Sequence, residues 1–513
     1  MTDTIKIVEL PVGAGKTYQI INQIQQMGGD VIYAAPTIAL AKQIQEDVST
    51  RVVSKESILV TNNETGAGQR VGEYLSEVLN STDDEICIVC THEGLSSTEA
   101  GIFHTVKARK GTDLTIIIDE LPSLFNNYSR KFTDDVKKQL ETVISVTDGM
   151  IDVINESLYR QVLDLDIYHP EISQLLKLRD SVRMTHDQQS EEWSFFGYAL
   201  KDNLREVLAL ADNVYFLAST ITGTLDEMIL KDVWGFKLKN AQEIYACIEQ
   251  HDLIGRARRA KIYPLLDKSY SKHKALNNDY TAKSGKCLST MLSTAINLIQ
   301  DNEAIMVTNN WAIPAVRSKL EYVPNITILN PNVKGMNTHQ DKHWCCALFT
   351  AKPTPDIHKS IKLLADTHQL EHSALLEAYV LQYDLDMIVQ MCGRISIRDR
   401  NASSKCTFIV PDQLSAKHLV KVLTGNTERY DELVDESHMV CWDDMTDSNT
   451  TMGRPPSKEK EQRLSWLVGV HKKAKSSGVR PPKNKALAEM YHQPVKPAQI
   501  SKDNKLLRET GRI

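Results

Sequence analysis

Short β-branched runs alternate with amphipathic stretches through the first hundred or so residues: IKIVEL, then GAGKTYQIINQIQQM, VIYAAP, IALAKQIQEDV, SILVTN, ICIVCT and LTIIIDE. Near-continuous apolar runs mark strands buried on both faces, so this rhythm predicts a parallel sheet covered by helices. Beyond the acidic pair Asp119 and Glu120 the spacing turns helical, as in DVKKQLETVISV and IDVINESLYRQVLDL, until the strand VYFLAST. A helical insertion over about 122–212 is therefore expected inside a first lobe spanning 1–225. A second set of strand signals, AIMVTN, ITILN, WCCALFT and CTFIVPD, is interleaved with helical stretches and predicts a second α/β lobe over 226–425. Residues 426–455 read as an acidic linker and 456–513 as a small basic helical module. No internal repeat of short period is present.

A hydrophobic fraction of 42% in 513 residues suffices for more than one buried core. No stretch approaches the roughly 20 apolar residues that cross a bilayer. The start MTDTIKIVEL lacks the regions of a signal peptide, so a cytoplasmic placement without membrane contact is expected. The nine cysteines form no disulfide framework. Cys87 and Cys90 form a CxxC, but within the strand ICIVC side chains three apart point to opposite faces. Core packing accounts for them better than zinc. The net charge of −6 is uneven: Gly453–Ile513 holds 15 Lys/Arg against 5 Asp/Glu. That tail is either a polyanion-binding module or a solvated terminus.

The segment LPVGAGKT, Leu10 to Thr17, lies directly between a predicted strand and a predicted helix, as a phosphate-binding loop must. Gly13, Ala14 and Gly15 turn backbone N–H groups toward phosphates, Lys16 supplies a point charge, and the Thr17 hydroxyl suits Mg²⁺. Leu10 stands where the strict GxxxxGK[ST] pattern has its first glycine. The strand LTIIIDE provides the acidic partner, with Asp119 for the metal and Glu120 to orient and deprotonate the attacking water. Alone, that pair reads equally as a helix-capping acid.

With these two motifs in place, the chain resembles the superfamily 2 DEAD/DEAH-like helicases over roughly residues 5–412, and further motifs follow in that family's order. AAPTIALAKQI resembles the motif that grips the nucleic-acid backbone and implies that role for Pro36 and Thr37. CTHEGL resembles the next such motif, through Thr91 and His92, and ASTITGT resembles the coupling SAT motif with its first two letters transposed, implicating Thr220. In the second lobe KGMNTH resembles a motif that reaches both phosphate and strand through Gly335 and Asn337. QMCGRISIR resembles the arginine-finger motif, implying that Gln390 approaches the γ-phosphate and that Arg394 and Arg398 neutralise transition-state charge. The family's form is QxxGRxxR, whereas Ile397 occupies the second arginine position and Arg398 follows it. Four-residue spacing would still let Arg394 and Arg398 share a helix face.

The resemblance implies two RecA-like P-loop lobes that close on ATP and Mg²⁺, and ATP hydrolysis stimulated by nucleic acid. The acidic motif reads DELP, away from the DEAD-box RNA helicases, and the whole looks closer to DNA helicases of phages and plasmids, acting in DNA replication. Little precedes the first strand, so an adenine-reading element is not expected and base selectivity should be weak. In the tail, KALAEMYHQ and PAQISKDNKLL are compatible with a helix-turn-helix gripping duplex phosphates through Lys472, Lys473 and Lys475. A protein partner competes equally for that tail. Three readings follow: a DNA helicase or translocase; a duplex remodeller or origin-binding ATPase with little unwinding; and a nucleotide-switched DNA-binding scaffold without productive turnover.

Overall fold

The computed structural model describes residues 3–62, 70–81, 83–132, 138, 140–147, 149–164, 178, 181–187, 192–248, 250–276, 286–321, 323–331, 339–399, 402–442, 458–476, 482–491, 500, 503–504 and 507. The expected β-branched runs become strands β1 (Thr4–Glu9), β2 (Asp30–Ala35), β3 (Glu56–Val60), β4 (Ile86–Thr91) and β5 (Leu114–Asp119). An insertion carries β6 (Phe125–Phe132), β7 (Ile144–Thr147), β8 (Met150–Val153), β9 (Val182–Asp187) and β10 (Glu192–Leu200). The chain then returns as β11 (Asn213–Ala218) and β12 (Lys237–Asn240). The main sheet has the order β12-β1-β11-β5-β2-β4-β3, and its neighbouring strands all pair parallel. Every residue of β2 and β5 is buried, as strands covered by helices on both faces require. Cys87 and Cys90 of β4 enter cores on opposite faces of this sheet, which rules out a shared ligand role.

Two expectations need correction here. First, the insertion is mainly β: among the described residues β6-β10-β9 form an antiparallel sheet and β7–β8 a hairpin, with helices at Glu156–Asp164 and Asp202–Leu210. Short amphipathic stretches such as VISV fit either period, and cross-strand partners far away in sequence decide between them. Second, the first lobe continues past residue 225, because β12 pairs with β1 from Thr4↔Lys237 to Ile7↔Asn240.

The second lobe is a five-stranded parallel sheet of β13 (Ala260–Leu266), β14 (Ala304–Thr308), β15 (Ile326–Leu329), β16 (Trp344–Leu348) and β17 (Cys406–Asp412), in the order β13-β17-β16-β14-β15. The acidic stretch after 426 is a linker only in part. Val434 and Val440 make bridges to β13, and Trp442 is buried in the second lobe's core, so apolar anchors among the acids hold this segment to the sheet.

Helices that position the site are α1 (Lys16–Ile24), α2 (Ile38–Arg51), α3 (Pro355–His368), α4 (His372–Val380) and α5 (Asp386–Cys392). Although α3 and α4 follow β16 in the chain, their apolar faces enter the first lobe's core: Ile361, Leu364, Leu375 and Ala378 share a cluster with Leu124, Phe125, Leu225 and Ile229. Ser360 also donates to the carbonyl of Gly197 at 2.9 Å. This pair of helices therefore ties the second lobe to the insertion of the first.

Residues 446–513 form a second compact unit. Its helices α6 (Lys458–Ser476) and α7 (Asn484–Met490) enclose a small core of Leu464, Leu467, Leu487, Ile500 and Leu507. Arg463 pairs with Asp503 at 2.6 Å, and the rings of Trp466 and Tyr491 lie 5.1 Å apart. A solvated coil would show none of this packing, so the described part of the tail is a folded helical unit.

Candidate functional site: a nucleotide cleft between two lobes

The phosphate loop takes the conformation its glycines permit. Gly13 and Gly15 adopt φ values of 76° and 88°, in the left-handed region that β-carbon-bearing residues avoid. Ala14 N–H donates to the carbonyl of Pro11 at 3.1 Å, and Gly15 caps α1. Lys16 folds back to donate to the carbonyls of Leu10 and Pro11 at 2.6 and 3.1 Å.

Opposite the loop, β5 delivers Asp119, which is 6% exposed. Its Oδ2 accepts from the Thr17 hydroxyl and from the Tyr33 hydroxyl, each at 3.0 Å. His92 Nε2 lies 2.9 Å from the Asp119 carbonyl oxygen. Burial raises the Asp119 carboxyl, opposed by Lys16 and by the Thr17 and Tyr33 hydroxyls. Glu120 turns sharply out of the strand with φ 65°, its N–H held by the Leu217 carbonyl at 2.7 Å. Thr17 and Asp119 form the oxygen-donor pair that suits Mg²⁺.

The second lobe closes the cleft. A cavity of about 330 Å³ is lined by Gly13, Gly15, Lys16, Thr17, Asp119 and Glu120 from the first lobe and by Gln340, Gln390 and Arg398 from the second. The lobes meet at two glycines. A side chain at Gly13 would bring its Cβ within 2.9 Å of the Arg398 Cα, and one at Gly393 would meet Val12 at 2.7 Å. Between them Asp386, buried at the start of α5, accepts from the Ser219 hydroxyl at 2.8 Å and from Gln390 Nε2 at 2.9 Å. A first-lobe strand end and the finger helix thus share one carboxylate.

Arg394 and Arg398 do not share a helix face. The helix α5 stops at Cys392, Gly393 caps it, and Arg398 belongs to a separate 3-10 turn, Ser396–Arg398. At this break the chain lies against Val12 so closely that only glycine lets the turn approach the phosphate loop. Arg398 faces the cavity and its Nε donates to the Gly393 carbonyl, whereas Arg394 is 4% exposed and lies outside the cavity lining. Burial lowers both guanidinium groups.

The residues expected to hold nucleic acid lie at neighbouring strand ends, since β2 and β4 pair with Ala35 opposite Thr91. Pro36 follows the end of β2, and the Thr37 and Thr91 hydroxyls cap helices by accepting from Leu40 N at 3.2 Å and Gly94 N at 3.1 Å. His92 instead faces the acidic motif. Thr220 is buried and lines a larger cleft of about 1100 Å³, together with Leu10 and Pro11 at the start of the phosphate loop and Tyr245, Arg258 and Lys421. Gly335 and Asn337 lie outside the described residues. Lys472 and Lys473 are exposed on α6, and Lys475 lies on the same helix.

Sequence reading missed three residues. Tyr33 sits inside a strand with an ordinary apolar pattern, and Asp386 precedes the finger motif by four positions. Arg256 approaches from the helix Gln250–Ala257, its Nη1 3.2 Å from where a Gly13 Cβ would stand. For Asp386 the signal was available: Asp384 and Asp386 stand within a largely apolar helical run, and a buried acid there demands a partner.

Burial pushes the Lys16 ammonium down to about 8, although Asp119 and Glu120 oppose the shift. Below pH 8 the lysine already carries its proton, so nucleotide affinity should be flat. Above pH 8 the site must take up a proton to present a cation to phosphate, and affinity should weaken by about tenfold per pH unit. Titration of a fluorescent ATP analogue across that range checks this; an affinity independent of pH up to roughly 10, the ordinary lysine range, would contradict it.

Residues 2–153 match the family model described as DEAD/DEAH box helicase. No curated protein matches the chain. Similar solved structures include Saccharomyces cerevisiae Dbp5 bound to RNA and ADP-BeF3, at 11% identity over 86% of each chain with a TM-score of 0.38. An unliganded XPD is 14% identical over 84% of this chain and 99% of its own, with a TM-score of 0.38. The helicase MrfA bound to DNA and AMPPNP is 10% identical over 85% of this chain and 50% of its own, with a TM-score of 0.31. The family match spans both the phosphate loop and the Asp119–Glu120 pair, so what residues 2–153 are similar to is a DEAD/DEAH box helicase domain.

Proposed function

We propose that this chain is an ATP-dependent DNA helicase or translocase, hydrolysing ATP between its two RecA-like lobes to move along or unwind a strand. The observation that carries this reading is the shared cleft, in which Lys16, Thr17, Asp119 and Glu120 of one lobe face Gln390 and Arg398 of the other. A site built from two lobes is complete only when they close, so a strand bound across both favours the hydrolysing state.

The roles follow from placement. Gly13 and Gly15 present N–H groups to the phosphates, and the Ala14 N–H and the Lys16 ammonium join them on leaving the Pro11 carbonyl and the Leu10 and Pro11 carbonyls respectively. Thr17 and Asp119 would hold Mg²⁺, which neutralises phosphate charge when bound. Tyr33 keeps the Asp119 carboxylate aimed at Thr17. Glu120 orients and deprotonates the water, Gln390 assists from the second lobe, and Arg398 neutralises charge as the terminal phosphoryl group departs. Asp386 passes the nucleotide state between Ser219 and Gln390.

Pro36, Thr37 and Thr91 cluster at the strand ends where open α/β sheets take their ligands, while His92 beside them contacts the acidic motif through the Asp119 carbonyl. The strand grip is assigned there. The basic helical unit, with Lys472 and Lys473 exposed, also favours a second reading, a duplex remodeller anchored by its tail. ATP turnover with single-stranded DNA, duplex DNA and RNA separates these readings. Greatest stimulation by single-stranded DNA supports the translocase, greatest stimulation by duplex supports the remodeller, and greatest stimulation by RNA overturns the choice of DNA.

A further inference from the structure

We propose that a cavity between the insertion and the second lobe holds one unpaired nucleobase of the bound strand; this rests on the reading of the chain as a nucleic-acid motor. The cavity, of about 240 Å³, is walled by Phe125, Asn126, Asn127 and Tyr128 of β6 and by Tyr379 and Tyr383. Pockets that bury a whole drug-sized ligand run to roughly 300–1,000 Å³, so this one suits a single flat ring rather than a complete nucleotide.

Its chemistry fits a base. The rings of Tyr379 and Tyr383 lie 4.5 Å apart, and that of Phe125 stacks on Tyr198 with centroids 6.1 Å apart. Phe125 and Tyr379 are buried, while Asn126, Asn127, Tyr128 and Tyr383 keep part of their surface exposed, so Tyr128 and Tyr383 are the reachable part of the aromatic wall. Aromatic faces of this kind accept any base by stacking. The polar edge is more telling. The carboxamide oxygen of Asn127 is buried and accepts no hydrogen bond among the described residues. A buried acceptor left without a donor is costly; the oxygen is closed to water in this arrangement, so a turn of the Asn127 side chain toward the cavity would bring it to what a base offers, an imino or exocyclic amino N–H carried on an apolar ring. The same strand carries Arg130 and Lys131, whose charge favours a phosphate backbone nearby.

The location links occupancy to catalysis. Phe125 lies five positions beyond Glu120, and between them Ser123, at φ 54°, makes a 2.6 Å hydrogen bond with the Tyr383 hydroxyl. Tyr383 belongs to a π-helical turn, Leu381–Leu385, that runs directly into α5 and the Asp386 shared by Ser219 and Gln390. Such turns interrupt regular helices at functional sites. A base seated against Tyr383 therefore presses on a segment joined to both the Glu120 loop and the finger helix.

The test compares binding of labelled oligothymidylate with binding of an abasic strand of equal length, by fluorescence anisotropy. The wild-type chain, Asn127→Ala and Asn127→Leu are each measured; the leucine variant is nearly isosteric and carries no orphan acceptor, so its melting temperature should not fall below wild type. The proposal predicts that wild type prefers the base-bearing strand and that both variants lose about fivefold in affinity for it, with abasic binding unchanged. Equal wild-type affinity for the two strands, or a preference that survives both substitutions, overturns the pocket and leaves the motor reading standing. Binding of neither strand by wild type removes the motor reading and the pocket with it.

Discussion

Arg398→Ala should lower nucleic-acid-stimulated ATP turnover by about a thousandfold, the lower end of what arginine fingers contribute, with the melting temperature nearly unchanged. Arg398 lines the interlobe cavity beside Gly13 and Gly15, where, on the proposed function, charge would develop on the departing phosphoryl group. Arg394→Ala should behave differently. Its side chain is buried outside that cavity, so truncation leaves a void and should act mainly on stability, at a cost of about 2 kcal/mol or more. Steady-state kinetics and thermal unfolding of the two variants separate these effects. A large loss of turnover with an unchanged melting temperature in Arg394→Ala, and little loss in Arg398→Ala, would exchange the roles.

Glu120→Gln should slow hydrolysis by about 10²–10⁴-fold, the range attributed to general-base catalysis, while nucleotide binding persists. Glutamine keeps the size of the side chain and still orients water, but it accepts no proton. The phosphate loop, Thr17 and Asp119 are untouched, so nucleotide and strand should be held together in a trapped complex. This distinguishes a motor from a nucleotide-switched scaffold, which would keep its biological function without turnover. Single-turnover hydrolysis alongside binding of a labelled strand in the presence of ATP measures both properties. Unimpaired hydrolysis in the variant would remove Glu120 from the mechanism.

Local signals wrote much of the first-lobe half of the candidate cleft into the sequence. LPVGAGKT and LTIIIDE are contiguous, and each carries its chemistry at a strand end, so reading them needs no tertiary information. The structure brings Lys16, Thr17, Asp119, Glu120, Gln390 and Arg398 to one cavity. Legibility failed where a partner lies far along the chain. Tyr33 looks like any β-strand aromatic until Asp119 is placed beside it, 86 positions away. The pairing of Arg394 with Arg398 failed because α5 stops before Gly393 and Arg398 lies in a separate turn, and helix periodicity is blind to where a helix stops. The insertion failed for a related reason: β6 and β9 acquire their strand character by pairing with β10, and short segments with mixed periodicity do not reveal it. The docking of α3 and α4 on the first lobe's core was also invisible, since their apolar faces are compatible with either lobe.

The central claim is that the interlobe cleft hydrolyses ATP and that a bound strand completes it. Steady-state ATP turnover with Mg²⁺, measured with and without single-stranded DNA for the wild-type chain and for Lys16→Ala, tests it most directly. Strong stimulation by the strand in wild type, abolished in the variant, is the predicted result; turnover that no polynucleotide stimulates would contradict the motor and leave the nucleotide-switched scaffold as the better account.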